Sequence, residues 1–137
     1  MKIIENVAPL IGRLMLVVIF IKAAIGKING FDGTAKYMAS KGMPMTSFLL
    51  FGAIVFLLVG SLSLLVGYKA RIGALLLILF LLPTTLIFHP FWVEPAQMGA
   101  FVKNLAVLGG LFYVLGMGAG PLSLDGWTKK NKDKFNG

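Results

Sequence analysis

An all-α fold, an integral membrane four-helix bundle, is what this sequence predicts, and three observations predict it. Of 137 residues, 58% are hydrophobic and 13% are charged, with a mean hydropathy of +0.89, far from the balance of a soluble domain. The apolar residues fall in four stretches, at about 9–28, 45–67, 72–89 and 98–120, each near the about 20 residues that a helix needs to cross hydrocarbon. What remains is short: two connections, a turn and a basic tail at 121–137, so a single transmembrane domain over 1–137 is expected.

The first span opens on Pro9, at a helix start where its missing N–H is not needed. A cleaved signal peptide fits this region poorly. Glu5 and Arg13 break the required layout and Lys22 interrupts the place where cleavage would fall, so a retained anchor is expected. Arg13 lies one turn from the helix end and reads as a headgroup contact. In the 29–44 connection, Asp32 is expected to cap a short helix running to about Ser40, with Gly42 as its stop and Pro44 beyond. Tyr37 and Met38 would face lipid or protein while Lys36 and Lys41 stay wet, which makes the segment an interfacial helix lying over the bundle.

The second span carries no charge. In the third, Pro83 removes a backbone hydrogen bond and is expected to kink the helix, a defect that neighbouring spans tolerate. Gly109, Gly110, Gly116, Gly118 and Gly120 in the fourth span, with Gly52 and Gly60 in the second, offer flat surfaces for close helix approach. The tail, with lysines at 129, 130, 132 and 134, is expected to be mobile and to bind anionic lipid.

Orientation follows from the basic residues outside the spans. Lys2, Lys69, Arg71, Lys129, Lys130, Lys132 and Lys134 fall on one side, and only Lys36 and Lys41 on the other. By the positive-inside rule both termini are cytoplasmic.

Several function classes drop out. The net charge of +8 sits beside apolar spans rather than on a polar face, which points to lipid headgroups and away from nucleic acid. With no cysteine and one histidine, thiolate chemistry, iron–sulfur clusters and multi-histidine metal sites are not expected. No nucleophile–base–orienter set, phosphate-binding glycine loop or carboxylate pair can be assembled, so no catalytic or metal-ligating residue is expected and the chain is not expected to be an enzyme on its own.

The polar groups within the spans carry the remaining information, because a charge in hydrocarbon costs roughly 2.5–3.5 kcal/mol on insertion scales. Lys27, His89, Lys103 and Asn104 gather toward the outer end and are the candidate ligand contacts. Lys22 either snorkels to the interface or lines a polar cavity. Lys103 and Asn104 are adjacent and point about 100° apart, so at least one faces the bundle interior, as structural glue or as a ligand contact. His89 is either a solvated helix end or a hydrogen-bonding group beside a carbonyl-bearing ligand. Asp32, Glu94 and Lys22 are charge partners for this cluster, with Glu94 set to pair with Lys103 or Lys27 or to sit in solvent.

Several segments, in order, resemble one family. They are Gly26-Lys27-Ile28-Asn29-Gly30-Phe31-Asp32-Gly33-Thr34, then Tyr37-Met38-Ala39-Ser40 and Gly42-Met43-Pro44, and Gly67-Tyr68 followed by Arg71. Phe101-Val102-Lys103-Asn104-Leu105-Ala106 with Gly109-Gly110, and Gly120-Pro121-Leu122-Ser123-Leu124-Asp125, continue the series. Their order and spacing resemble the DoxX family across nearly the whole chain. The resemblance implies a four-helix protein of the bacterial cytoplasmic (inner) membrane. It also implies a link to redox chemistry, since relatives include the membrane subunit of a thiosulfate:quinone oxidoreductase and others associate with redox-stress complexes. One departure stands out: many relatives carry a glutamate in the second span three residues before a glycine, and here Leu57 precedes Gly60.

The expectation is therefore a non-catalytic subunit or accessory factor of a quinone-linked system, with a quinone or small anion at the outer end and a soluble redox subunit or a second copy of the chain as partner. A small-solute or ion carrier, or a purely structural membrane partner, is the alternative.

Overall fold

A computed structural model describes residues 1–136. Six α-helices follow one another: α1 (Lys2–Asn29), α2 (Phe31–Ser40), α3 (Thr46–Val66), α4 (Ala70–Phe88), α5 (Met98–Met117) and α6 (Leu124–Asn136), with one 3₁₀ turn at Pro95–Gln97 before α5. Among the described residues there is no strand. α1, α3, α4 and α5 are long and apolar enough to cross a membrane; the 21 residues of α3, at 1.5 Å each, reach about 30 Å, the thickness of the hydrocarbon.

The four spans form a ring in which α3 packs against α1 and α4, and α5 packs against α4 and α1. Their common core contains Phe20 and Ala24 of α1, Leu57 and Leu64 of α3, Leu77 and Leu81 of α4 and Leu111 of α5. Hydrophobic burial supplies little drive between helices already in lipid, so close packing has to hold the ring. It does so most tightly between α3 and α4. A Cβ on Gly60 would lie 2.6 Å from Cγ of Leu77, and one on Gly73 would lie 3.2 Å from the Gly60 carbonyl. The glycine contact is thus Gly60 with Gly73; Gly52, Gly109 and Gly116 have open space where a Cβ would stand, contrary to the sequence expectation.

The turn between α3 and α4 explains its own sequence. Gly67 takes a left-handed conformation (φ 72°), which glycine adopts without penalty, and Ser63 Oγ donates to the Tyr68 carbonyl at 2.7 Å. The first amides of α4 have no partner within the helix. Asp125, from the start of α6, supplies one: its carboxylate accepts from Lys69 N at 2.7 Å and Ala70 N at 2.9 Å.

Four expectations are corrected. Pro9 lies inside α1, not at its start, because the helix runs on through residues 2–6, beginning with Glu5 N donating to the Met1 carbonyl. Asp32 sits in the first turn of α2 but makes no side-chain cap; Gly30 holds the cap position. The tail, expected to be a mobile basic segment, forms the helix α6, tied down at its start by Asp125. Arg13 is the fourth. It is 2% exposed, and its guanidinium donates through Nη1 to the Leu64 carbonyl at 2.8 Å and through Nη2 to the Leu122 carbonyl. The physical reason lies at the end of α3: Tyr68 N bonds the Ser63 carbonyl instead of that of Leu64, leaving an orphan acceptor at a helix terminus whose dipole favours a cation.

Candidate functional site

The two ends of the bundle differ in character. At the end holding both termini, Arg13 and Asp125 tie α1, α3, α4 and the start of α6 together. At the other end α2 folds back over the spans, burying Ala35 and Met38 against Leu50 and Ile54 of α3, with Phe31, Met43 and Phe88 around them. Tyr37 of α2 stacks on Phe88 of α4, ring centroids 5.4 Å apart. This second small core fixes α2 to α3 and α4, and a groove of about 520 Å³ opens beneath it.

The groove has an apolar body and a polar head. Phe48, Gly52, Phe56, Leu79 and Pro83 line its length, and Lys27, Thr34, Tyr37 and His89 lie around the end covered by α2. Phe48 and Leu79 are exposed, 70% and 53%, so on a membrane-spanning bundle the groove opens sideways toward lipid. The volume lies within the range of small-molecule sites, about 300–1,000 Å³.

Three local features set the polar chemistry. The Lys27 ammonium sits 5.5 Å from the centroid of the Phe80 ring, a cation–π distance. His89 Nδ1 lies 2.8 Å from Gln97 Oε1; an amide oxygen only accepts, so Nδ1 donates in this pair and Nε2 is left free for another partner. Pro83 has no N–H to give the Leu79 carbonyl, which lacks its helical donor, while Thr84 Oγ1 donates to the Phe80 carbonyl at 2.7 Å.

Of the four residues that the sequence singled out as ligand contacts, Lys27 and His89 meet in this groove. Lys103 and Asn104 do not. Asn104 is 6% exposed and donates through Nδ2 to Thr85 Oγ1 at 3.1 Å, a tie between α5 and α4, and Lys103 is exposed outside the groove. Lys22 and Asp32 are exposed as well. Glu94 pairs with Lys41 at 3.9 Å, linking the loop after α4 to the end of α2, rather than with Lys27 or Lys103. Thr34, Tyr37 and Thr84 join the groove without having been selected from the sequence. Their signal was spacing, since Thr34 and Tyr37 lie three apart on one face of α2. Among the described residues no three carboxylate or imidazole groups come together as metal ligands.

Four membrane-length helices closed into a ring, capped at one end by a short packed helix, define a small multi-pass membrane protein. The chain belongs to the DoxX family, whose model matches residues 8–90. A model described as the SURF4 family matches residues 51–131. Inner membrane protein YqjF of Escherichia coli K12 is 36% identical over 125 residues, covering 91% of this chain and 95% of its own. Inner membrane protein YphA of the same organism is 35% identical over 122 residues, 85% of this chain and 86% of its own. No solved structure matches.

Proposed function

We propose that this protein is a non-catalytic membrane subunit or accessory factor of a quinone-linked redox system, and that the groove under α2 holds the quinone. The observation that carries the reading is the groove's division into an apolar body open to lipid and a polar head of Lys27, Thr34, Tyr37 and His89. A quinone has the same division. Its ring carbonyls accept from Lys27 Nζ and the Tyr37 hydroxyl, its isoprenoid tail lies along Phe48, Phe56 and Leu79, and the hydroxyl of a reduced quinol donates to His89 Nε2. Electrons come from a partner, a soluble redox subunit docked on the membrane protein or on a pair of its copies.

The distribution of Lys and Arg supports an orientation with both termini in the cytoplasm. α2 then lies at the outer interface and the quinone head sits near the outer surface.

The test is binding of a short-chain ubiquinone or menaquinone analogue to the purified protein in detergent, followed by quenching of intrinsic fluorescence. Lys27→Ala and His89→Ala are each expected to weaken binding about tenfold, the loss of one charge-assisted or neutral hydrogen bond of about 1.5 kcal/mol. Lys103→Ala, outside the groove, is expected to leave it unchanged. Equal affinity in the wild type and both groove variants removes the site.

A further inference from the structure

At the opposite end of the molecule a second cavity, of about 780 Å³, lies between α6, the start of α4 and the 118–121 turn. We propose that it is a binding site for the headgroup of an anionic phospholipid, independent of the quinone reading.

Charge is the first argument. Lys69, Arg71, Lys129 and Lys130 line the cavity, against Asp125 and Asp133. Each Asp125 oxygen already accepts a backbone N–H of α4's first turn, and the four cations outnumber the two carboxylates. Among the described residues none of the four cations lies within salt-bridge distance of a carboxylate. Geometry is the second. Arg71 lies against the turn: Gly118 has a positive φ (83°), and the position of its absent Cβ is 3.4 Å from Arg71 Nε, so the exposed guanidinium rests on bare backbone. A planar fork with no hydrogen-bond partner of its own among the described residues suits the oxygens of a phosphate.

A free phosphate would need only these cations. The surroundings extend further and favour a lipid. Ile72 and Met117 are on the cavity's rim, 55% and 68% exposed, and both belong to spans whose outer faces meet acyl chains. Leu124, Trp127 and Phe135 of α6 are exposed as well and share the face of the helix opposite Gly126, Lys129, Lys130 and Asp133, so they accompany the cavity without lining it. That face matches an interfacial helix with tryptophan at headgroup level and lysines around it. The cavity therefore joins a cluster of cations to the exposed apolar side chains of Ile72 and Met117, the pairing that a phospholipid headgroup and its first acyl carbons require.

The experiment is native mass spectrometry of the full chain released from neutral detergent, titrated with dioleoylphosphatidylglycerol, with dioleoylphosphatidylcholine, and with the first lipid in the presence of millimolar inorganic phosphate. Phosphatidylglycerol is expected to be retained at least about tenfold more tightly than phosphatidylcholine, and phosphate is expected not to displace it. At about fivefold per basic residue near a charged headgroup, R71Q/K130Q is expected to lose about 30-fold. K129Q/K130Q changes only exposed residues of α6, leaves the bundle intact, and is expected to lose about as much. K132Q/K134Q, on the same helix but outside the cavity, is expected to stay within about twofold. Displacement by phosphate would assign the cavity to a free anion. Equal retention of the two lipids, unchanged binding by K129Q/K130Q, or an equal loss in K132Q/K134Q would each overturn the proposal.

Discussion

Asp125→Ala isolates the contact that ties α6 to the bundle. The carboxylate accepts two hydrogen bonds, at 2.7 Å from Lys69 N and 2.9 Å from Ala70 N, and so caps α4 from 55 residues away in the chain. Hydrogen bonds to a charged group are worth about 1.5–3 kcal/mol each in buried settings. The bond to Lys69 N is exposed and that to Ala70 N part-buried, so water takes over much of the loss and the total falls to about 1–3 kcal/mol, near the scale of a helix cap. That energy holds α6 against local unwinding, so its loss raises the open population about 5- to 150-fold. Trypsin cutting after Lys129 and Lys130 reads this directly, since a helix must open to enter a protease and cleavage follows the open population when reclosing is fast. Cleavage of the variant in detergent is expected to speed up by that factor while far-ultraviolet circular dichroism shows the spans intact. Asp125→Asn, keeping one oxygen acceptor, is expected to fall between. A cleavage rate within twofold of the wild type would refute the assignment of Asp125 as the anchor.

Three further outcomes are expected. Gly60→Ala drives a methyl to within 2.6 Å of Leu77 Cγ and should cost about 1–3 kcal/mol in detergent thermal unfolding; Gly52→Ala, with nothing within 4 Å of its new methyl, should be neutral, and equal effects would sink the packing argument. A double-mutant cycle of Thr85→Val and Asn104→Leu should return about 0.6 kcal/mol of coupling across α4 and α5, the usual value for such bonds between spans, and additivity would show that the bond contributes nothing. Arg13→Lys keeps the charge but gives up the fork that reaches two carbonyls at once, and should lower stability by about 1.5–3 kcal/mol; an unchanged unfolding midpoint would contradict the geometry.

The spans were legible because hydrocarbon imposes a length and a composition that any sequence must show. Their exact starts were not: the apolar pattern begins at Pro9, but a helix needs no apolar residues where it emerges into water, and α1 reaches back to Lys2. α6 was hidden for a related reason. Its composition is that of a solvated tail, and only the spacing of Leu124, Trp127 and Phe135 and the bond from Asp125 mark it as a helix with a face. Adjacency did predict that one of Lys103 and Asn104 would turn inward, and Asn104 does. The groove depends on which helices α2 lies across, a matter of tertiary packing that no window of sequence contains. Arg13 misled because a charge one turn from a span end ordinarily reaches headgroups, and the acceptors that draw it inward lie 51 and 109 residues further along the chain.

Those separations bear on how the protein is made. When α1 first enters the bilayer, neither acceptor of its arginine has been synthesised, and the side chain has only lipid headgroups and water to bond. α3 then brings the Leu64 carbonyl, and only the segment after α5 brings that of Leu122. A bundle lacking the segment after α5 keeps Arg13 with one of its two carbonyl partners, that of Leu64.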